Sequence, residues 1–236
     1  EQAGVPFQIG ASHMSPQLSL ERIKRAVQLQ PSAIQVILSD WHPLNDDEAI
    51  ACLQRMAEAA DPIGLVLYNP PRAKRVLSPE ALVKLRQAVP NLVGVKVVPD
   101  GPGWYEAVQP VLADLSIFVP GHHLATGMTL GASGAYSNVA CLQPAGAQRW
   151  YDLMQTDMQR ALDIEARLQA FMADHVAPFI TQEGYANQAA DKLLAAIGGW
   201  APVGTRLRWP YRWIDEAEAS RLRPIAQHMI PELFAE

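Results

Sequence analysis

One lysine stands inside a run of valines in the stretch VGVKVVPD, residues 93–100. A run this apolar is typical of a buried strand, where a charged ammonium group is costly. Two interpretations of Lys96 are open. In the first, its long aliphatic stem reaches the surface and keeps the ammonium group in water. In the second, burial lowers the pKa of Lys96, so that a neutral amine is present to act as a nucleophile.

A tyrosine with complementary chemistry precedes Lys96 by 28 residues. Tyr68 ends the apolar run LVLY, and the following Asn69, Pro70 and Pro71 interrupt that run abruptly. If the two runs are neighbouring parallel strands, both side chains lie near the same carboxyl-terminal edge of the sheet. A lysine amine condenses with a ketone, and a nearby phenol can relay protons. The alternative for Tyr68 is a buried ring whose hydroxyl has a structural hydrogen-bond partner.

The elements that would position these two residues recur at a nearly constant interval. Four apolar runs begin 28, 30 and 29 residues apart, and two shorter runs follow. The six runs are VPFQIG from residue 5, AIQVIL from 33, IGLVLY from 63, LVGVKVV from 92, LSIFVP from 115 and GAYS from 134. Because the main runs are continuously apolar rather than alternating, they predict parallel strands covered on both faces.

Helical patterns separate these strands. Apolar residues at helical spacing mark two segments: Leu20, Ile23 and Val27, then Ile50, Leu53, Met56, Ala57 and Ala60. A third segment begins with Ser78 as N-cap and Pro79 in the first turn. Strand–helix units of about 30 residues predict βαβ crossovers and an α/β fold. Six strands fit either a doubly wound sheet or a (β/α)8 barrel, although GASHMS after the first strand is not a phosphate-binding glycine turn.

The strand pattern stops after about residue 144, and the rest of the chain is predicted to be helical. One helical region spans residues 145–180. Its apolar stripe, spaced four residues apart, is typical of a core or a subunit interface and consists of Trp150, Met154, Met158 and Leu162. Further helices are expected over residues 187–197, ended by Gly198 and Gly199, and over residues 215–229.

Composition narrows the class of protein. The chain has 236 residues, of which 49% are hydrophobic, enough for one large domain or a domain with an appendage. A net charge of -5 argues against a nucleic-acid partner, and no apolar stretch approaches the length of a membrane span. The first ten residues lack the features of a signal peptide. Cys52 and Cys141 form no disulfide framework, and no Cys/His spacing resembles a zinc site. We therefore expect a cytoplasmic protein.

Three motifs together resemble the dihydrodipicolinate synthase / N-acetylneuraminate lyase family of class I aldolases. They are LVLYNPP with the lysine of VGVK 28 residues after its tyrosine, GASGAYSNVACLQP at 131–144, and NQAADKLLAAIGG at 187–199. The resemblance implies a (β/α)8 TIM barrel, of which this chain holds strands three to eight, and a C-terminal all-helical extension. The barrel portion would cover residues 1–156, and the helical domain residues 157–236.

The same resemblance implies a reaction that needs neither a metal nor an organic cofactor. Lys96 would form a Schiff base with the keto carbon of pyruvate or another 2-oxo acid, and Tyr68 would relay protons. Tyr136 lies where the family uses a main-chain carbonyl near the keto acid. The expected substrate-binding residues are Tyr136, Ser137, Arg72 and Gly121. Because the family usually forms homotetramers, we expect this chain to form a dimer or tetramer.

The sequence departs from the family pattern in three places. It begins at the family's third strand and lacks the Gly-Thr-Thr-Gly-Glu turn that binds the substrate carboxylate, so we expect it to be part of a longer natural protein. Trp41 and His42 stand where the family has two tyrosines. We hypothesise that His42 replaces the relay phenol, because imidazole titrates near neutrality; the alternative is a solvent-facing histidine. Ala73 occupies the position of the synthases' substrate-binding arginine, between Arg72 and Arg75.

These patterns predict a Schiff-base-forming class I lyase that acts on a 2-oxo acid by aldol cleavage or condensation, or by dehydration. Because Ala73 replaces the synthases' arginine and Arg72 lies one residue earlier, the sequence argues against true dihydrodipicolinate synthesis. The alternative is a non-catalytic small-molecule-binding protein on an aldolase-like barrel, because a fold does not determine a function. Three further histidines follow strand ends, where they either influence specificity or are ordinary loop residues: His13, His122 and His123.

Overall fold

A computed structural model describes residues 5–39 and 41–235 of the chain. The strands in this part are β1 (Gln8–Gly10), β2 (Ala33–Val36), β3 (Leu65–Tyr68), β4 (Leu92–Lys96), β5 (Ser116–Pro120) and β6 (Gly134–Tyr136). They form one sheet in the order β1-β2-β3-β4-β5-β6, and β1 to β5 pair in parallel. The six predicted strands and the α/β class are confirmed.

Helices follow each strand and fill the rest of the chain. They are α1 (Pro16–Val27), α2 (Asp46–Ala60), α3 (Pro79–Ala88), α4 (Pro102–Val108), α5 (Leu124–Leu130), α6 (Asn138–Leu142), α7 (Pro144–Thr156), α8 (Met158–Phe171), α9 (Ala177–Thr181), α10 (Asn187–Gly198), α11 (Glu216–Met229) and α12 (Pro231–Phe234). Within the described ranges, none of these helices is both long enough and apolar enough to cross a bilayer.

The chain divides into two compact units. The first extends to Val119 and also contains Leu130–Gly134, and the second comprises Pro120–Thr129 and the chain from Ala135 onward. The first unit holds β1 to β4 and helices α1 to α4. The second holds helices α6 to α12.

The strands of the first unit are buried on both faces. Leu65, Val66 and Leu67 are successive residues of β3 and point alternately to opposite sides, yet each is at most 1% exposed. Ile34 of β2 and Val95 of β4 are likewise inaccessible. Covered faces explain the continuously apolar sequence of these strands.

Side-chain caps fix where two helices of the first unit begin. Asn45 accepts a hydrogen bond from the Glu48 N–H, and the Glu48 carboxylate accepts one from the Asn45 N–H, which forms a capping box. Ser78 caps α3 by accepting from the Ala81 N–H, with Pro79 in the first turn as predicted. The two caps fix the residues at which the loops before α2 and α3 end.

The predicted helical region over residues 145–180 is interrupted. Asp157 ends α7 and caps α8 by accepting from the Arg160 N–H, so the apolar stripe does not continue across it. Trp150 and Met154 are buried as expected, but the stripe's remaining members, which lie on α8, are only partly buried. The buried face of α8 instead carries Ala161, Ile164, Glu165, Leu168 and Phe171.

A π-helical turn, Met172–Val176, joins α8 to α9. Pro178 explains it, because proline has no N–H to donate to the preceding turn and its ring crowds the carbonyl there. The local widening lets the chain continue as a helix through the proline. The sequence analysis did not include this feature.

Helix α10 ends as its two glycines predict. Gly199 has a φ of 66°, the left-handed conformation of a helix C-cap. Gly198 has a different reason: a Cβ there would collide with the Leu142 carbonyl oxygen at the end of α6. The two helices approach so closely in the second unit that only glycine fits.

Candidate active site

Lys96 and Tyr68 lie side by side at the carboxyl-terminal ends of neighbouring strands. Tyr68 is the last residue of β3, Lys96 is the last residue of β4, and they are register partners. Lys96 Nζ lies 5.9 Å from the centroid of the Tyr68 ring. Lys96 is 7% exposed, which favours burial of the amine over the alternative in which it extends into water.

A β-bulge produces this register. Leu65 pairs with Leu92, but the next residue, Val66, pairs with Gly94, so that Val93 is an extra residue in β4. A Cβ at Gly94 would lie 3.0 Å from the Phe118 ring. The sequence analysis missed the bulge, although a glycine inside a strand pattern is its usual sign.

Asn69 is a second feature that the sequence analysis missed. It is 2% exposed, and its backbone N–H donates to the Lys96 carbonyl at 2.9 Å. Its Nδ2 donates to the Arg75 carbonyl at 2.8 Å, and its Oδ1 accepts from the Leu77 N–H at 2.8 Å. Asn69 therefore joins the end of β4 to the loop that follows β3. Only its position before two prolines was visible in the sequence.

The two arginines of that loop have different partners. Arg72 Nη2 donates to Tyr68 Oη at 2.6 Å, and the Arg72 guanidinium carbon lies 5.4 Å from the Tyr68 ring centroid. Arg75 turns away and donates to the Leu44 carbonyl and to the Asp46 carboxylate. That hydrogen bond holds the pKa of Asp46 below its ordinary value. Arg75 therefore ties together the two loops that follow β2 and β3.

His42 lies on the loop between β2 and α2, and its side chain is exposed. Trp41 beside it is 84% exposed. The loop is anchored beyond both residues, at Leu44 by Arg75 and at Asn45 by the capping box. The proton-relay role of His42 stays a prediction.

The remaining predicted site residues lie in the second unit. Tyr136 ends β6 and is half-buried, and Ser137 caps α6 by accepting from the Ala140 N–H at 3.1 Å. Gly121 is buried, and a Cβ there would collide with Ser137 Oγ and lie 2.9 Å from Asn138 Oδ1. Gly121 and Ser137 are thus packed together, and their role in substrate binding stays a prediction.

Asn138 determines the tautomer of His122. Its Oδ1 accepts from the His122 backbone N–H at 3.2 Å, so its Nδ2 faces His122 Nδ1 at 2.8 Å. The amide nitrogen can only donate, hence Nδ1 is an acceptor and the ring proton is on Nε2. Gln169 of α8 holds the same segment by donating to the His122 carbonyl at 3.0 Å.

Glu165 is a buried carboxylate that sequence reasoning did not identify. It is 2% exposed and accepts hydrogen bonds from the Ala125 N–H at 2.8 Å and the Thr126 N–H at 3.0 Å. It therefore satisfies the free N–H groups at the start of α5. Its only sequence signal was an acidic residue within an apolar helix face.

Other classes of reactive group are poorly supported. Burial raises the pKa of the Cys52 and Cys141 thiols, which disfavours the thiolate form needed for a nucleophile. In the part of the chain that the structure describes, no group of three or more histidine, cysteine, aspartate or glutamate side chains could hold a metal ion. Lys96 is accordingly the strongest candidate nucleophile.

No family model and no curated protein matches this sequence, but several solved structures are similar to it. The prophage protein YagE of Escherichia coli K12, of the dihydrodipicolinic acid synthase family and solved with pyruvate, has 19% identity and a TM-score of 0.80, over 96% of this chain and 76% of YagE. Dihydrodipicolinate synthase of Bacteroides thetaiotaomicron has 16% identity and a TM-score of 0.78, with coverages of 96% and 76%.

A third similar structure is a catalytic lysine mutant of the sialic acid aldolase of Ruminococcus gnavus. It is 18% identical, with a TM-score of 0.77 over 96% of this chain and 73% of that one. The likeness to these structures confirms, at the level of the fold, the resemblance that the sequence motifs indicate. The matched region is about three-quarters of each of these proteins.

Proposed function

We propose that this chain, which has the fold of dihydrodipicolinate synthase and sialic acid aldolase structures, is a Schiff-base-forming class I lyase that acts on pyruvate or a related 2-oxo acid. One observation carries the proposal: a buried lysine and a tyrosine are register partners at the carboxyl ends of adjacent parallel strands. Catalytic side chains in barrel enzymes lie at such strand ends.

The chemistry follows from the two side chains. Burial disfavours the ammonium form of Lys96. In its neutral form, Nζ attacks the C2 carbonyl carbon of the 2-oxo acid. Loss of water from the resulting carbinolamine gives an imine, and removal of a proton from C3 gives an enamine. The enamine adds to a carbonyl acceptor, forms by cleavage of the C3–C4 bond, or expels a hydroxyl group from C4. Tyr68 supplies and recovers the protons.

The proposal does not extend to dihydrodipicolinate synthesis itself. Ala73 stands at the position of the synthases' substrate-binding arginine, and the guanidinium of Arg72, one residue earlier, bonds to Tyr68 instead. An arginine must present its donors in the right plane to bind a carboxylate with two hydrogen bonds. The second substrate is therefore left unassigned among aldol acceptors and hydroxy acids.

Further parts of the proposal rest on the resemblance. They are substrate contacts from Tyr136, Ser137 and Gly121, proton relay by His42, a complete (β/α)8 barrel with its catalytic portion in residues 1–156, and a helical domain in residues 157–236. We also propose that the protein is cytoplasmic, needs no cofactor and forms a homodimer or homotetramer. Analytical ultracentrifugation checks the assembly.

Borohydride trapping tests the function. The protein is incubated with pyruvate and sodium borohydride, and the adduct is located by peptide mass spectrometry. We expect an irreversible adduct on Lys96 in the wild type and none in Lys96→Ala. Lys84→Ala is a matched control, because Lys84 is exposed on α3 and should leave the adduct unchanged. Absence of an adduct with pyruvate and with longer 2-oxo acids would favour the alternative, a non-catalytic small-molecule-binding protein.

A further inference from the structure

Arg72 contacts the residue that ends the preceding strand. Its side chain is exposed to solvent, yet Nη2 donates a 2.6 Å hydrogen bond to Tyr68 Oη. A bond this short between a guanidinium and an oxygen is typical of charge-assisted hydrogen bonds. The phenol of Tyr68 is therefore paired with a permanent positive charge.

The backbone around Arg72 is held in place. Asn69 binds the Lys96 carbonyl on one side and the Arg75 carbonyl and Leu77 N–H on the other. Within this loop, the Ala73 N–H donates to the Pro70 carbonyl at 2.9 Å. Because the Asn69 backbone fixes one end of the loop and its buried side chain fixes the other, the contact between Arg72 and Tyr68 costs mainly the entropy of the Arg72 side chain and little entropy of the backbone.

The chemistry of the two groups sets the direction of the Tyr68 proton. A guanidinium has only donors, so Tyr68 Oη must be the acceptor in this bond. The Tyr68 O–H then points to a different acceptor, away from Arg72. Lys96 Nζ lies 5.9 Å from the centroid of the same ring.

We propose that Arg72 is a positioning residue that orients the Tyr68 hydroxyl and stabilises its phenolate during Schiff-base formation. This inference rests on the proposed function. Tyr68 gives its proton to the departing hydroxyl of the carbinolamine, which releases water and leaves the protonated imine beside a phenolate. The phenolate then removes a proton from C3, which gives the enamine and restores the phenol. Arg72 stabilises the Tyr68 phenolate that exists between these two steps, and it does not act directly on the substrate.

Exchange of the pyruvate methyl protons for deuterium measures these steps without knowledge of the second substrate. We would follow the exchange by proton NMR in D2O at several pyruvate concentrations. In Arg72→Met we expect kcat for exchange to fall by about 10- to 100-fold, as for loss of a hydrogen bond to a charged group, with an unchanged KM. Arg72→Lys, which keeps a cationic donor, should recover part of the rate. Lys74→Met, an exposed lysine on the same loop, should match the wild type.

A double-mutant cycle separates this role from a purely structural one. On a Tyr68→Phe background, Arg72→Met should cause no further loss, because the group through which it acts has been removed. A raised KM with unchanged kcat in Arg72→Met would overturn the inference by making Arg72 a substrate ligand. An equal loss of kcat on the wild-type and Tyr68→Phe backgrounds would also overturn it. If the wild type neither exchanges nor forms the Lys96 adduct, the proposed function fails and the inference fails with it.

Discussion

Tyr68 and Lys96 are aligned because Val93 is an extra residue in β4. Before the bulge Leu65 pairs with Leu92, and after it the register is shifted by one residue as far as Tyr68 and Lys96. Without the shift, Val95 would stand opposite Tyr68. Successive side chains of a strand point to opposite faces, so Lys96 would lose its alignment with the phenol.

The packing of the bulge leads to a stability prediction. A Cβ on Gly64 would lie 2.6 and 2.8 Å from the two methyl carbons of Val93. We expect Gly64→Ala to lower the free energy of unfolding by about 1–3 kcal/mol, as overpacking does. Adding Val93→Ala should recover much of this loss, because it removes both methyl groups. Urea denaturation measures both effects. Gly10→Ala, where a Cβ would meet nothing within 4 Å, is the control. Strictly additive effects of the two substitutions would contradict this account of the bulge.

Asn69 should matter for both stability and activity. Asn69→Leu leaves the Leu77 N–H and the Arg75 carbonyl without their buried partner, which should cost about 1–3 kcal/mol or more. The loop that carries Arg72 would also loosen, so exchange of the pyruvate methyl protons should slow. Asn187→Leu, on an exposed helix surface, should change neither quantity measurably. A stable Asn69→Leu protein with wild-type exchange would show that this amide does not support the site.

The ion pair between Arg167 and Glu232 should make stability depend on pH. Two hydrogen bonds, of 3.0 and 2.6 Å, join these side chains, and they hold the pKa of Glu232 below its ordinary value of 4.5. A lowered carboxyl pKa stabilises the fold at neutral pH, and this contribution is lost as the pH falls through the lowered value. We expect Glu232→Gln to cost under about 1 kcal/mol at pH 7, because the pair is partly exposed.

The same comparison at acidic pH provides the test. The difference in free energy of unfolding between wild type and Glu232→Gln should shrink below pH 4.5, as the wild-type carboxyl becomes protonated. Glu106→Gln, on the exposed side of α4, should show no such trend. A difference that is constant from neutral to acidic pH would indicate that the substitution acts through packing rather than through charge.

His42 offers a test of the proton relay. If His42 replaces a relay phenol, His42→Phe should lower the rate of pyruvate methyl-proton exchange and change its pH–rate profile. His228→Phe, an exposed histidine on α11, should leave the profile as it is. An unchanged pH–rate profile in His42→Phe would make His42 an ordinary loop residue.

Local patterns predicted the strands and most helices, because buried strands and helix caps depend on residues that are close together in the sequence. Ser78 and Pro79 predicted the start of α3, and Gly199 predicted the end of α10. Strand order also predicted that Tyr68 and Lys96 lie near the same edge of the sheet. The bulge at Val93 did not, since it depends on how Gly64 and Gly94 pack across strands.

Specific side-chain contacts, whether within one loop or between distant segments, also escaped the sequence analysis. Arg72 was expected to bind substrate, and its bond to Tyr68 depends on how Asn69 folds the loop. Glu165 is buried far along the chain from the α5 N–H groups that it binds. Spacing along the sequence does not reveal such partners.

A crystal structure of the borohydride-reduced pyruvate complex tests the central claim most directly. We predict continuous density between Lys96 Nζ and C2 of the bound pyruvate, with Tyr68 Oη within about 3.2 Å of a substrate atom, the reach of a proton-transferring group. Unmodified Lys96, or a covalently attached pyruvate on another residue with Tyr68 remote from it, would contradict the assignment of a Schiff-base lyase.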